Sequence, residues 1–169
     1  MTRIGVLSDT HNYLDDRIFT HFADCDEVWH AGDIGSVDVV EKLKSFRFLR
    51  AVYGNIDGYE LRREFPLYNT FKIEDVSVFL THIGGYPGKY ARDVLPQIFT
   101  QKPNLFVCGH SHILKVQYDK NFDMLCINPG ASGLYGFHSV RTLLKFEING
   151  NQFQNMQVIE LAPVSVNSR

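Results

Sequence analysis

The chain has 169 residues, enough for one domain that buries roughly two thirds of the surface its unfolded form exposes. Its composition, 44% hydrophobic and 21% charged, is that of a globular protein, and a formal net charge of -2 argues against a protein built chiefly to grip a nucleic-acid backbone. The opening MTRIGVLSD holds an apolar run too short for a signal-peptide core or a membrane span, and Cys25, Cys108 and Cys126 lack CxxC spacing, so free thiols, a cytoplasmic location and no membrane partner are expected.

In chain order, IGVLSD (4–9) reads as a strand buried on both faces. A helix is expected in YLDDRIFTHFAD (13–24) and a short strand in EVWHAGD (27–33). SVDVVEKLKSF (36–46) follows, with Ser36 placed to cap a helix whose Val39, Val40, Leu43 and Phe46 recur at helical spacing. FLRAVYGN (48–55) completes a β-α-β-α-β opening. The pattern then changes, and TFKIEDVSVFLTH (70–82) reads as a hairpin around Glu74 and Asp75. GKYARDVLPQIFTQK (88–102) is expected as a helix bent or shortened by Pro96, and NLFVCG (104–109) as a buried strand. Alternating segments ILKVQYD (113–119), FDMLCINPG (122–130), VRTLLKFEI (140–148) and FQNMQVIEL (153–161), joined by turns, suggest a largely antiparallel tail. The expected fold is α/β, two mixed sheets packed together with helices outside, in one domain over residues 1–169.

Five of these strands end in polar punctuation: Asp9 and His11, Asp33, Asn55, His82, and His110 with His112. Ligands of such sheets collect beyond the carboxyl ends of the strands, so a shared orientation would gather all seven side chains. Glycine precedes Asp33, Asn55 and His110, letting the backbone turn sharply and a ligand come close. In extended backbone, the one-residue gaps would point Asp9 and His11 to one side, and His110 and His112 likewise. Two carboxylates, four imidazoles and an amide oxygen suit manganese, iron, zinc or nickel better than magnesium or calcium. Seven ligands divide between two cations if one carboxylate bridges. With a bridging hydroxide the centre would carry a charge of about plus one, attract an anionic ester and supply an activated nucleophile.

Read in order, Asp9-x-His11, Gly32-Asp33, Gly54-Asn55, His82 and Gly109-His110-Ser111-His112 resemble the full signature of the calcineurin-like metallophosphoesterases. The short length, NPGAS (128–132) and the early first strand resemble the compact YfcE-type bacterial and archaeal phosphodiesterases. The resemblance implies a four-layer α/β/β/α sandwich and two divalent cations, manganese by preference. It assigns Asp9, His11, Asp33 and His112 to the first metal and Asp33, Asn55, His82 and His110 to the second. Asp33, Asn55 and His82 are the expected catalytic residues. The expected activity is hydrolysis of small phosphodiesters by attack of the bridging hydroxide on phosphorus.

One position departs from the wider superfamily. Where many members have Gly-Asn-His-Asp or Gly-Asn-His-Glu, this chain has Gly-Asn-Ile-Asp, and Ile56 cannot protonate a leaving group. Esters whose leaving group needs little help, such as aryl diesters, are therefore expected to react best. A phosphomonoesterase of the same fold is an alternative. Another is a non-catalytic scaffold like the retromer subunit of vacuolar sorting, although its degraded first motif contrasts with the intact Asp9-Thr10-His11 here. A nuclease would need capping segments and basic surface that this chain has little room for, and a homo-oligomer is permitted without being required.

Several other residues admit two readings. Asp57 either orients Asn55 or a ligand histidine, or is a turn residue, and His30 either supports the site or is a satisfied strand histidine. His138 reads as hairpin connection or as part of the substrate mouth, and Lys89 and Arg92 as solvated or phosphate-binding. Asn128 is expected to support the site from its turn, Cys108 to be inert packing, and His21 to be a boundary residue.

Overall fold

Alternation along the first strand decides the layering: Ile4 and Val6 face one way, while Gly5 and Leu7 face the other. Both sets are buried, so the strand carries a layer on each side. The computed structural model describes residues 1–163, and residues 164–169 of the expected 1–169 domain lie outside the described residues. β1 (Thr2–Leu7), α1 (Arg17–His21), β2 (Glu27–His30), α2 (Val37–Phe46) and β3 (Phe48–Ala51) alternate as expected. The three strands pair in parallel. After α3 (Tyr59–Glu64), β4 (Tyr68–Ile73) and β5 (Val76–Thr81) form the expected hairpin.

The segment expected as one helix over 88–102 divides. Near its beginning a small hairpin pairs β6 (Gly85–Tyr86), which precedes the segment, with β7 (Lys89–Tyr90), and only α4 (Leu95–Gln101) is helical. Pro96 lies in the first turn of α4, where its missing N–H has no helical partner to lose. β8 (Leu105–Val107), β9 (Leu114–Asp119), β10 (Met124–Pro129), β11 (Arg141–Asn149) and β12 (Gln152–Leu161) complete the chain. The tail is antiparallel within its two hairpins but does not form one sheet. β9 and β10 join β5 and β8, whereas β11 and β12 extend the first sheet beside β1. Two further differences are that α1 is shorter than the 13–24 segment and that α3 was not expected.

Two five-stranded mixed sheets result, in the orders β12-β11-β1-β2-β3 and β4-β5-β8-β10-β9. Ile4, Trp29, Val78, Leu80, Val107, Ile127 and Phe146 meet between the sheets. Leu7, Ile18, Phe22, Val28, Val40 and Leu43 pack α1 and α2 outside the first sheet, and Phe79, Ile98, Phe106 and Met124 pack α4 outside the second. These cores define an α/β/β/α sandwich. A Cβ on Gly5 would collide with the Phe22 ring, so glycine there lets α1 lie close on β1. Cys25, Cys108 and Cys126 are free and buried. Among the described residues no helix is long and apolar enough to cross a membrane.

A buried ion pair ties the start of β11 to the loop after β1. Asp15 and Arg141 are each 4% exposed, and Nη1 of Arg141 donates to Asp15 at 3.0 Å and to the Ser132 carbonyl at 3.2 Å. Hydrogen bonds from Arg17, opposed by burial and assisted by Arg141, hold the Asp15 carboxyl well below the usual carboxylate range. A depressed folded-state pKa contributes stability above the unfolded value near 3.9 that is lost as the pH falls toward the folded value. Asp15→Asn is expected to lower stability at pH 7 by roughly 3 kcal/mol, leaving Arg141 buried without its carboxylate. In denaturant titrations the gap from the parent should narrow below about pH 4, and a gap independent of pH would show that the pair's charge contributes nothing.

Candidate metal centre

Five of the seven side chains singled out in the sequence sit on left-handed backbone. Asp9, His11, Asp33, His110 and His112 have φ of 55°, 44°, 55°, 69° and 60°. The extended geometry expected for the Asp9–His11 and His110–His112 pairs is therefore not what aims them; tight turns past the strand ends do. Each such residue costs on the order of 1 kcal/mol of backbone strain, though Asp and His tolerate the region better than branched residues. Hydrogen bonds between loops hold the turns. Asp9 N donates to Gly32 O at 3.0 Å, His11 N to Asp33 O at 3.1 Å, and Gly109 N to His82 O at 2.9 Å.

The glycines expected to matter do so by close approach. A Cβ on Gly32 would overlap the His82 imidazole, one on Gly54 the Asp33 carboxylate, and one on Gly109 the side chains of Ser8 and Asp9. Through these contacts the loops after β1, β2, β3, β5 and β8 converge. Asp9, His11 and His112 form one cluster whose donor atoms all lie within 4.8 Å of one another, and Asp33, His82 and His110 form a second. Asp33 Oδ2 lies 3.2 Å from His82 Nε2 and 3.5 Å from His11 Nε2, so it faces both clusters. Asn55 Oδ1 is 3.1 Å from His82 Nε2. All seven residues meet at one edge of the two sheets.

The protonation pattern can be traced through the hydrogen bonds. His82 Nδ1 donates to the Ala31 carbonyl at 2.7 Å, which in the neutral ring leaves the Nε2 lone pair facing Asp33. His138 Nε2 donates to Gly133 O at 2.9 Å, so its Nδ1 accepts from His112 Nδ1 at 3.1 Å. His112 then presents its own Nε2 lone pair 3.1 Å from Asp9 Oδ1. Asp9 Oδ2 is satisfied by Ser8 Oγ at 2.6 Å and His110 N at 3.1 Å, but the buried Oδ1 has no hydrogen bond, and neither has His11 Nε2. Leaving such atoms unpaired costs about 1–3 kcal/mol each. Lone pairs and carboxylate oxygens facing one another across gaps of this size fit divalent cations.

Charge reinforces the fit. Burial alone would raise the Asp9 carboxyl, but the close imidazoles of His11, His112 and His82 outweigh it and hold the group far below the usual range. Asp33 is likewise lowered against the effect of burial, chiefly by His82. His82 is raised, since Asp33 and Asp9 overcome the penalty of burying a cation. The two carboxylates thus stay ionised and draw positive charge inward.

Supporting residues resolve the open readings. Asp57 is buried and is hydrogen-bonded to neither the Asn55 side chain nor a clustered histidine; its carboxylate accepts backbone N–H groups of Gly54 at 2.8 Å, Gly35 at 2.8 Å and Ile34 at 3.1 Å, clamping together the loops that carry Asn55 and Asp33. Asp33 itself accepts the Ile56 N–H at 3.1 Å. Thr10 Oγ1 donates to Ile34 O and so accepts from His30 Nε2 at 3.0 Å, while His30 Nδ1 accepts from Gly32 N. Burial pushes His30 down to about 4, and it is a neutral brace rather than a strand histidine bonded to a carbonyl. Asn128 Nδ2 donates to Gly109 O at 2.9 Å and Ser111 Oγ at 3.1 Å, supporting the Gly-His-Ser-His turn. Burial pushes the Cys108 thiol up to about 12, in keeping with packing. His21 lies in the last turn of α1 and Arg92 is exposed, while Lys89 borders a cleft shared with His110. Sequence reasoning undervalued His138, whose place beside His112 depends on the long loop before β11.

A family model described as the calcineurin-like phosphoesterase superfamily domain matches residues 2–151. The chain is 29% identical over 133 residues to a probable metallophosphoesterase of Methanothermobacter thermautotrophicus, covering 76% of each chain. It is 27% identical over 144 residues to a phosphodiesterase of Methanocaldococcus jannaschii, covering 76% of this chain and 82% of that one. Among solved structures, an archaeal phosphodiesterase superposes with a TM-score of 0.74 at 24% identity, over 94% of this chain and 99% of that one. Vps29 of Entamoeba histolytica complexed with Zn2+ superposes with a TM-score of 0.70 at 15% identity, over 94% and 98%.

The His138 contact makes a prediction about cation binding. His138→Ala removes the acceptor that orients His112, and Mn2+ affinity measured by calorimetry should fall roughly 10- to 100-fold for one class of site while a second class is retained. Equal binding isotherms for parent and variant would show that His138 does not orient a ligand.

Proposed function

The chain belongs to the calcineurin-like phosphoesterase superfamily, and from that premise we propose that it is a cytoplasmic, dinuclear metal-dependent phosphodiesterase acting on small phosphodiesters. Asp9, His11, Asp33 and His112 are assigned to one cation and Asp33, Asn55, His82 and His110 to the other, with manganese the metal of choice. The observation that carries this reading is the pair of donor clusters with Asp33 facing both, and with Asp9 Oδ1 and His11 Nε2 buried and unpartnered. When bound, two cations supply Lewis acidity toward the phosphoryl oxygens and bring the pKa of water from about 15.7 toward 7.

The chain's own residues do the rest by orientation. The Ala31 carbonyl and His138 fix the tautomers of His82 and His112, so both present Nε2 to the centre. The Ile56 N–H and the Asp57 clamp hold Asp33 between the clusters. The centre opens on a cleft of about 450 Å³ bordered by His11, Asp33, Asn55, His110 and His112. That volume takes a small ester, and the Ile56 side chain, 46% exposed and unable to donate a proton, lines it. The imidazoles at the centre are assigned to cations, and the Nε2 proton of His138 is held by Gly133 O. With the imidazoles so engaged, esters whose leaving groups need little protonation are the ones expected to react best. Likeness to Vps29 supports the scaffold alternative only at the level of fold, and the complete donor set favours turnover.

Two measurements test this reading. Metal-stripped protein refilled with Mn2+ should hydrolyse aryl phosphodiesters, and Asp33→Asn or His82→Ala should bring the rate to background while thermal unfolding by circular dichroism stays near the parent. An Asp33→Asn protein with near-full turnover would refute the shared-carboxylate assignment. Across a series of aryl diesters the rate should fall steeply as leaving-group pKa rises. A flat dependence would mean that a protein acid is at work.

A further inference from the structure

The loop between β10 and β11 is held against the metal-ligand clusters and carries its aromatic side chains outward. Ser132 N donates to Ser8 O at 3.0 Å and Gly133 N to Asp9 O at 3.1 Å, so the loop starts on the turn that carries Asp9. His138 closes it, through Gly133 O on one side and His112 on the other. Gly136 has φ 129°, and a Cβ there would overlap the His112 imidazole, so the loop passes tightly over that ligand. Between these anchors, the Tyr135 ring lies 5.3 Å from the His11 ring at 39°, yet the residue is 73% exposed. Phe137 is fully exposed. Both line the cleft of the metal centre, and Ile56 and Ile113, also exposed, stand in the same cleft.

A firmly anchored loop that leaves two aromatic rings in water beside a charged centre forgoes burial that the fold would otherwise gain, which marks a contact surface. The neighbouring charge narrows the occupant. A cation-loaded centre draws an anion, while the rings and isoleucines beside it offer mainly apolar and π surface. We propose that Tyr135 and Phe137 form a stacking subsite for an aromatic ester group of a phosphodiester monoanion, with the phosphate over the clusters and the ring on the loop. This rests on the phosphodiesterase reading and adds to it the substrate class and two specificity-determining residues. The ring on the loop is the ester group that stays on phosphorus, so the subsite is separate from the leaving-group preference that Ile56 implies.

The test uses two diesters with the same leaving group, bis(p-nitrophenyl) phosphate and methyl p-nitrophenyl phosphate, with the Mn2+-loaded full chain. The retained group is aryl in one and methyl in the other, so differences in KM report the subsite. The parent should favour the bis-aryl ester by roughly three- to tenfold in KM, as expected for one aromatic stack. Tyr135→Ala and Phe137→Ala should each reduce that preference, and Tyr135→Phe, which keeps the ring and loses the hydroxyl, should retain it. Calorimetry should show diphenyl phosphate binding more tightly than dimethyl phosphate, with the advantage lost in the alanine variants. Selectivity unchanged in both alanine variants would overturn the proposal, as would Tyr135→Phe behaving like Tyr135→Ala. A concentration-dependent dimer abolished by Phe137→Ala, with selectivity intact, would assign the surface to a second copy of the chain and overturn it too. If neither diester is hydrolysed, the phosphodiesterase reading fails; the diphenyl phosphate arm still decides the subsite.

Discussion

Two carboxylates, Asp9 and Asp33, are buried at one edge of the sandwich with imidazole nitrogens facing them and, among the described residues, no lysine or arginine paired with them. Such an arrangement is costly by itself, because buried like charges and unpaired acceptors oppose folding. The surrounding structure serves to hold it. Loops after five strands are cross-linked by backbone hydrogen bonds, five residues accept left-handed geometry, and three glycines remove the Cβ atoms that would wedge the loops apart. A centre preorganised in this way need not rearrange to receive cations, which is how rigid scaffolds make precise sites.

The sandwich supplies the rigidity. The inter-sheet core brings the carboxyl ends of β1, β2 and β3 over those of β5 and β8, and the helices seal the outer faces. Bracing groups stand immediately behind the donors: Asp57 behind Asp33 and Asn55, Asn128 behind the Gly-His-Ser-His turn, His30 behind Thr10, and His138 behind His112. Each brace consists of a polar side chain bonding backbone or imidazole, so its role could not be read from residue type alone.

What was legible in the chain was whatever local pattern dictates. Buried strands, the hairpin read in 70–82 and the punctuation after each strand follow from apolar runs and short polar turns, and the clusters formed where that punctuation pointed. Less legible were features set by tertiary contact. The helix in the 13–24 segment keeps only its middle, and the beginning of the 88–102 segment goes instead into β7, paired with β6. The expectation that alternation in extended backbone aims Asp9 with His11 and His110 with His112 failed, since turns that hydrogen-bond to adjacent loops override it. The division of the tail between two sheets depends on where β11 returns, beside β1, which no local pattern encodes.

The account stands on two cations held side by side by one shared aspartate. Electron paramagnetic resonance of metal-free protein titrated with Mn2+ addresses that claim most directly, since ions roughly 4 Å apart couple magnetically. Filling should saturate at two ions per chain, with the spectrum at saturation that of a coupled pair and the coupling lost in Asp33→Asn. Saturation at one ion, or two ions that keep the simple six-line signal of isolated Mn2+, would contradict it.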